Sequence, residues 1–288
     1  MSKIFASTVI RASMPGGEHG GLYKIDLETK QVDKVISWVR DDILHDLGAG
    51  GGDRGMRGIA QVGDSLFISG SRYLFEFNKN YELVNQFDHP KFNGTHEIKY
   101  YNGKIYATSN AFDSILVFDV EKREWEYGIL HKVGKVQFND IPRRETAHIC
   151  SLSILDDTLW YSGSKLDKLW GVNLTTNKVT NKDIQHKGPH DCQHYKGDIV
   201  YNLSKESKTV WENHGVWDTP EIPVHGKDST SRYKYTRGMC LFDDKIVSGT
   251  SPASIIIITP ETNEVDYIQL EKDVRYSVCC IARNENND

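Results

Sequence analysis

The sequence predicts an all-β chain folded as a single six-bladed β-propeller over residues 1–288. Each blade is expected to carry four antiparallel strands, and N- and C-terminal strands together close the last blade. Three observations point there: a recurring strand–turn–strand unit, the same residue class at the start of every unit, and a final unit divided between the two termini.

The unit is visible in RGIAQVGDSLFISGS from Arg57, HEIKYYNGKIYATSN from His96 and HICSLSILDDTLWYSGS from His148. It returns in HDCQHYKGDIVYNLS from His190 and RGMCLFDDKIVSGTS from Arg237. Each is an apolar-rich strand, a turn of Gly, Asp or Asn, and a second strand ending in Ser, Thr or Asn. Those turn residues tolerate positive φ, as a tight hairpin requires. An outer hairpin follows each inner one, as in SILVFDVEKREWEYG and SIIIITPETNEVDYIQL, which makes four strands per unit. Units begin at residues 57, 96, 148, 190, 237 and 275, a spacing of the order of known blade repeats. The sixth is split. VRYSVCCIAR supplies its innermost strand, and KIFASTVIR with LYKIDLETKQVDKVISW supplies the other three. Such a blade ties the ring shut and removes the open edges of a sheet.

Composition narrows the function classes. Apolar residues make up 38% and charged residues 26%, with a net charge of −5. This is a globular balance without the basic excess that nucleic-acid binding needs. No stretch approaches the about 18 apolar residues of a membrane span, and the N-terminus lacks a signal-peptide core. The five cysteines, without a CxxC pair, fall in strand patterns and read as reduced core thiols of a cytoplasmic protein. GAGGGDRG lacks the GK[ST] ending of a phosphate loop.

The opening residue of an inner strand lies at the mouth of a propeller's axial channel. Here those six residues are Arg57, His96, His148, His190, Arg237 and Arg275. A channel needs only small or apolar filling, so six imidazoles and guanidiniums in equivalent places point to a ligand. Three imidazoles could hold one divalent metal ion (Zn, Mn, Fe or Ni) and leave positions open for substrate. Glu97, Glu145 and Asp191 are then candidates to orient the rings. Arg57, Arg237 and Arg275 would neutralise a small anionic substrate and stabilise charge developing on it. Tyr276 is a candidate general acid or base, or a packed strand aromatic. Asn110, Ser164 and Ser204, at ends of second strands, would add polar contacts on the same face. The long segments 40–56, 128–147 and 212–236 enter that face. A metal-free anion site and a structural plug remain alternatives to the metal centre. The other histidines read as surface or incidental residues, with His19 and His45 as candidates to lean over the mouth.

The chain as a whole resembles the six-bladed gluconolactonase/regucalcin-like and NHL-like propellers. It lacks the acidic metal-ligand set of the former, so their calcium-type chemistry does not carry over. The axial histidines are similar in chemistry to those of oligogalacturonate lyases, seven-bladed propellers that bind a metal chiefly through His and act on uronates. The resemblance implies a metal-dependent lyase or hydrolase acting on a carboxylate- or sugar-acid-like substrate. The alternative is a non-enzymatic propeller that binds an anionic ligand or a protein partner through the same face.

Overall fold

The computed structural model describes residues 2–14, 16–40, 55–226 and 232–285. Five of its sheets have four strands and one has five, all antiparallel. The innermost strands are Ile59–Val62, Ile98–Tyr101, Ile149–Leu155, His190–Tyr195, Arg237–Leu241 and Tyr276–Arg283. Each touches the next, and the last touches the first, so the ring of blades closes. Numbered from these strands, blades 1 to 5 run in chain order. Blade 6 joins Tyr276–Arg283 to the N-terminal strands Lys3–Ile10, Glu18–Asp26 and Val32–Val39, as the split repeat requires. Blade 2 carries an additional edge strand, Gly134–Val136, within the long segment that leads to His148. Among the described residues, no helix is long and apolar enough to cross a membrane.

The hairpin residues behave as their chemistry demands. Asn102 and Gly103 have φ of 47° and 76°, Asp156 and Asp157 48° and 54°, Lys196 and Gly197 47° and 89°. Two successive positive φ values match the turn to the right-handed twist of the strands. Apolar side chains pack between blades rather than around one centre. One cluster joins Leu22, Ile36 and Trp38 of blade 6 to Ile59, Ile68 and Phe75 of blade 1. Another joins Ile4, Ala6 and Tyr23 of blade 6 to Val247, Ile255 and Ile257 of blade 5. Third strands are covered on both faces, which explains why Ser114–Asp119 and Ser254–Thr259 are continuous apolar runs. The outermost Leu83–Asp88 is mostly exposed. All five cysteines are buried and unpaired.

Candidate functional site

The inner strands enter the axis through irregular backbone. Register shifts interrupt the pairing at Ile149/Ser151, His190/Gln193 and Arg237/Met239, immediately after three of the six mouth residues. An extra residue in one strand turns its neighbours out of the pleat and aims their side chains elsewhere. His148 itself has φ of 52° and Asp191 has 55°. Left-handed backbone at non-glycine residues is held only where the surroundings enforce it. For His148 the enforcement is Asp113, immediately before the strand Ser114–Asp119 of blade 2. Its carboxylate accepts from Thr146 N (2.7 Å), Ala147 N (2.9 Å) and His148 N (3.3 Å). Burial opposes ionisation of Asp113, but the Thr146 hydroxyl, which donates to Oδ2 at 2.6 Å, and these backbone donors hold its carboxyl below the usual range.

The result is an axial cavity of about 590 Å³. Five of the six expected mouth residues line it: Arg57, His96, His148, His190 and Arg237. Asn110, Ser164 and Ser204 line it too. Arg275 and Tyr276 do not, which corrects the expectation for blade 6. The Arg275 guanidinium is turned to Asp273, with Nη2–Oδ2 at 2.6 Å and Nε–Oδ2 at 3.0 Å. The Tyr276 hydroxyl donates to Glu18 Oε2 at 2.7 Å. Arg11 takes the sixth place, from the end of the N-terminal strand, with its backbone N bonded to Arg275 O at 3.0 Å. Arg72, Lys165 and Lys205 occupy the same topological position after the second strands of other blades. A basic residue after the second strand, as in VIRAS, SGSRY, SGSKL and NLSKE, is therefore a repeated signal that attention to the strand openers passes over. Lys187, Arg232 and Tyr235 reach the cavity from loops, where repeats leave no mark.

The lining is strongly cationic although the protein is net negative. Five arginines and three lysines face two glutamates, Glu145 and Glu206. Burial and the neighbouring Arg237 guanidinium push the pKa of His96 and His190 well below the ordinary value. Burial lowers that of His148 as well, against the opposing effect of Glu145. All three imidazoles are thus neutral at neutral pH.

His148 is the most organised of them. Its Nδ1 lies 2.7 Å from Glu145 Oε1, and its Nε2 lies 3.3 Å from Asn110 Nδ2. Nδ1–H donates to the carboxylate, so Nε2 carries the lone pair and accepts from the amide. The His96 ring is centred 5.2 Å from that of His148, and the His190 ring 6.1 Å from Tyr235. Of the three carboxylates expected to orient histidines, only Glu145 is paired with one. Glu97 accepts from Leu152 N at 2.7 Å and pairs with Lys99 at 2.8 Å. Asp191 accepts from Gly238 N at 3.0 Å. Both tie neighbouring blades together. Among the described residues, no three His, Cys, Asp or Glu side chains form a group that could hold a metal ion. The three histidines share one cavity without being gathered around one point.

Two other histidines, read from the sequence as surface or incidental, are core residues. His19 bridges Ser13 Oγ (2.8 Å) and Arg40 O (2.9 Å), and His131 packs against Tyr161 and Trp170. His45 and the GAGGGDRG segment lie outside the described residues, apart from Gly55.

No protein-family model matches the chain, and no curated protein matches it in sequence. Solved structures share its fold. A protein of unknown function from Bacteroides caccae is 7% identical with a TM-score of 0.58, over 99% of this chain and 100% of that one. A protein from Lactobacillus plantarum is 12% identical with a TM-score of 0.56, over 93% and 81% of the two chains. A catalytically inactive virginiamycin B lyase variant from Staphylococcus aureus, solved with quinupristin, is 12% identical with a TM-score of 0.50, over 77% and 72%. The chain is a six-bladed β-propeller whose solved structural neighbours include at least one enzyme.

Proposed function

We propose that this propeller is an enzyme, a lyase or hydrolase, that acts on a small anionic, carboxylate- or sugar-acid-like substrate in the axial cavity. The observation that carries the reading is a neutral histidine–carboxylate pair, His148–Glu145, on the wall of a pocket otherwise dominated by guanidinium and ammonium groups. Arg57 and Arg237 hold the substrate anion and stabilise negative charge as it develops. His148 Nε2, relieved of the weak Asn110 bond, takes a proton from the substrate or from water. Glu145 fixes the tautomer and stabilises the imidazolium that results. Ser164 and Ser204 border the same space, although the Ser204 hydroxyl donates to Thr236 O at 2.6 Å.

One divalent metal ion on His96, His148 and His190 is a second reading. Three neutral imidazoles on one cavity wall favour it, because a metal takes the unprotonated ring. The side-chain arrangement does not fit it as it stands, since no group of three potential ligands converges among the described residues.

The test is a screen of sugar acids and hydroxy acids, with and without added divalent ions, following unsaturated or hydrolysed products. Turnover that disappears in His148→Ala supports the proposal. Binding without turnover across the panel would make this an anion-binding module. Turnover that persists in His148→Ala would move the chemistry elsewhere.

A further inference from the structure

The cations of the cavity are not evenly spread. Arg11, Arg232 and Arg237 stand together beside Tyr235. The Arg232 and Arg237 guanidinium carbons both lie over the Tyr235 ring, at 4.9 Å and 5.0 Å from its centroid. Arg11 is 5% exposed, and Arg237 repels it closely enough to add to the effect of burial in weakening its hold on its proton. None of the three forms an ion pair with a carboxylate among the described residues, whereas Arg123, Arg144 and Arg275 each do. The Nε and Nη2 groups of Arg11 and the Nε of Arg237 are buried without an acceptor.

Such an arrangement is costly in the empty protein. Buried donors without acceptors lose their hydration, and neighbouring like charges repel. A single carboxylate brings one negative charge and two oxygens, which leaves excess positive charge in the corner. A phosphoryl group brings up to two charges and three acceptor oxygens, and guanidinium forks match its edges.

We propose that Arg11, Arg232 and Arg237 form a phosphoryl-binding corner, so that the substrate class is a phosphorylated small molecule whose remaining body extends toward His148 and Glu145. This rests on the anion-binding reading of the cavity and narrows the anionic group held by the arginines from a carboxylate to a phosphoryl group. A volume of about 590 Å³ accommodates a sugar-sized body beside the phosphoryl group. The corner selects and positions, while proton transfer stays with the His148–Glu145 pair on another part of the wall.

The experiment is calorimetric titration of the full chain at neutral pH with glycerol 3-phosphate and with glycerate, which share a small hydroxylated body but differ in the anionic group. Expected is binding of glycerol 3-phosphate at least tenfold tighter than glycerate. Arg11→Gln should weaken the phosphate ester about tenfold or more, as loss of a charged hydrogen bond does, and Arg232→Gln at least threefold. Both should change glycerate less. Arg232 is exposed, so its variant decides the matter if Arg11→Gln does not fold. Glycerate bound as well as or better than the ester would overturn the phosphoryl assignment and leave the anion site standing. A preference for the ester that survives both substitutions would remove it from this corner. Failure of both compounds to bind would overturn the corner and the anion reading together.

Discussion

His131 should make the propeller acid-sensitive from the seam between blades 2 and 3, away from the axis. Its ring is 5% exposed, lies 3.2 Å from the Tyr161 hydroxyl and meets Trp170 edge-on at 5.3 Å between centroids. Burial, with a smaller contribution from Lys132, pushes its pKa from the ordinary 6.5 down to about 4. Asp113 opposes the shift and Arg144 adds to it weakly. Between those two pH values the unfolded chain binds the proton and the folded protein does not. Stability therefore rises with pH through this window, is complete above pH 6.5, and is lost as pH falls toward 4. Each pH unit is worth about 1.4 kcal/mol, so the loss approaches about 3 kcal/mol. Urea unfolding followed by tryptophan fluorescence, at steps between pH 4.5 and 7.5, measures it. His131→Phe keeps a ring against Trp170 and removes the titration. It should cost about 1 kcal/mol at pH 7.5 through loss of the Tyr161 partner. Relative to that offset, the variant should gain roughly 2 kcal/mol on the wild type by pH 4.5. Curves that stay parallel across the range would refute the assignment of a neutral, buried His131.

Three further outcomes follow from the site. Glu145→Gln should lower turnover on any substrate found by about 10²-fold, the scale of acid–base assistance. It should also move the acid limb of the pH–rate profile to lower pH, since the carboxylate raises the His148 pKa; an unmoved limb would count against the pair. Gly163→Ala should destabilise the protein by about 1–3 kcal/mol and impair activity. A Cβ there would meet Ala147 O at 2.3 Å and His148 O at 2.7 Å, the backbone that presents His148. Chemical denaturation and the turnover assay check both effects. Arg275→Ala should leave turnover within about twofold, because its guanidinium is turned to Asp273 and does not line the cavity. A large kinetic loss would return Arg275 to the site.

The blade count, the split sixth blade and five of the six expected mouth residues were legible in the sequence, because each depends on local pattern. Hairpins announce themselves through Asn102-Gly103 or Lys196-Gly197, and a repeat places equivalent residues at equivalent heights. Tertiary structure decided the rest. Blade 6 is assembled from both ends of the chain, so the arginine that reaches the axis comes from its N-terminal strand: Arg11 enters, and Arg275 turns to an adjacent Asp273. Whether a histidine is surface or core depends on which neighbour covers it, and His131 is covered by Tyr161 and Trp170 of the next blade. The carboxylates beside the histidines in sequence, Glu97 and Asp191, are spent on backbone donors of neighbouring blades, while Glu145, in the loop before His148, is the one that reaches a ring. Sequence periodicity sets which strands form and how high on the axis a residue sits. The packing of one blade against the next sets where its side chain points, and that is a contact between residues far apart in the chain.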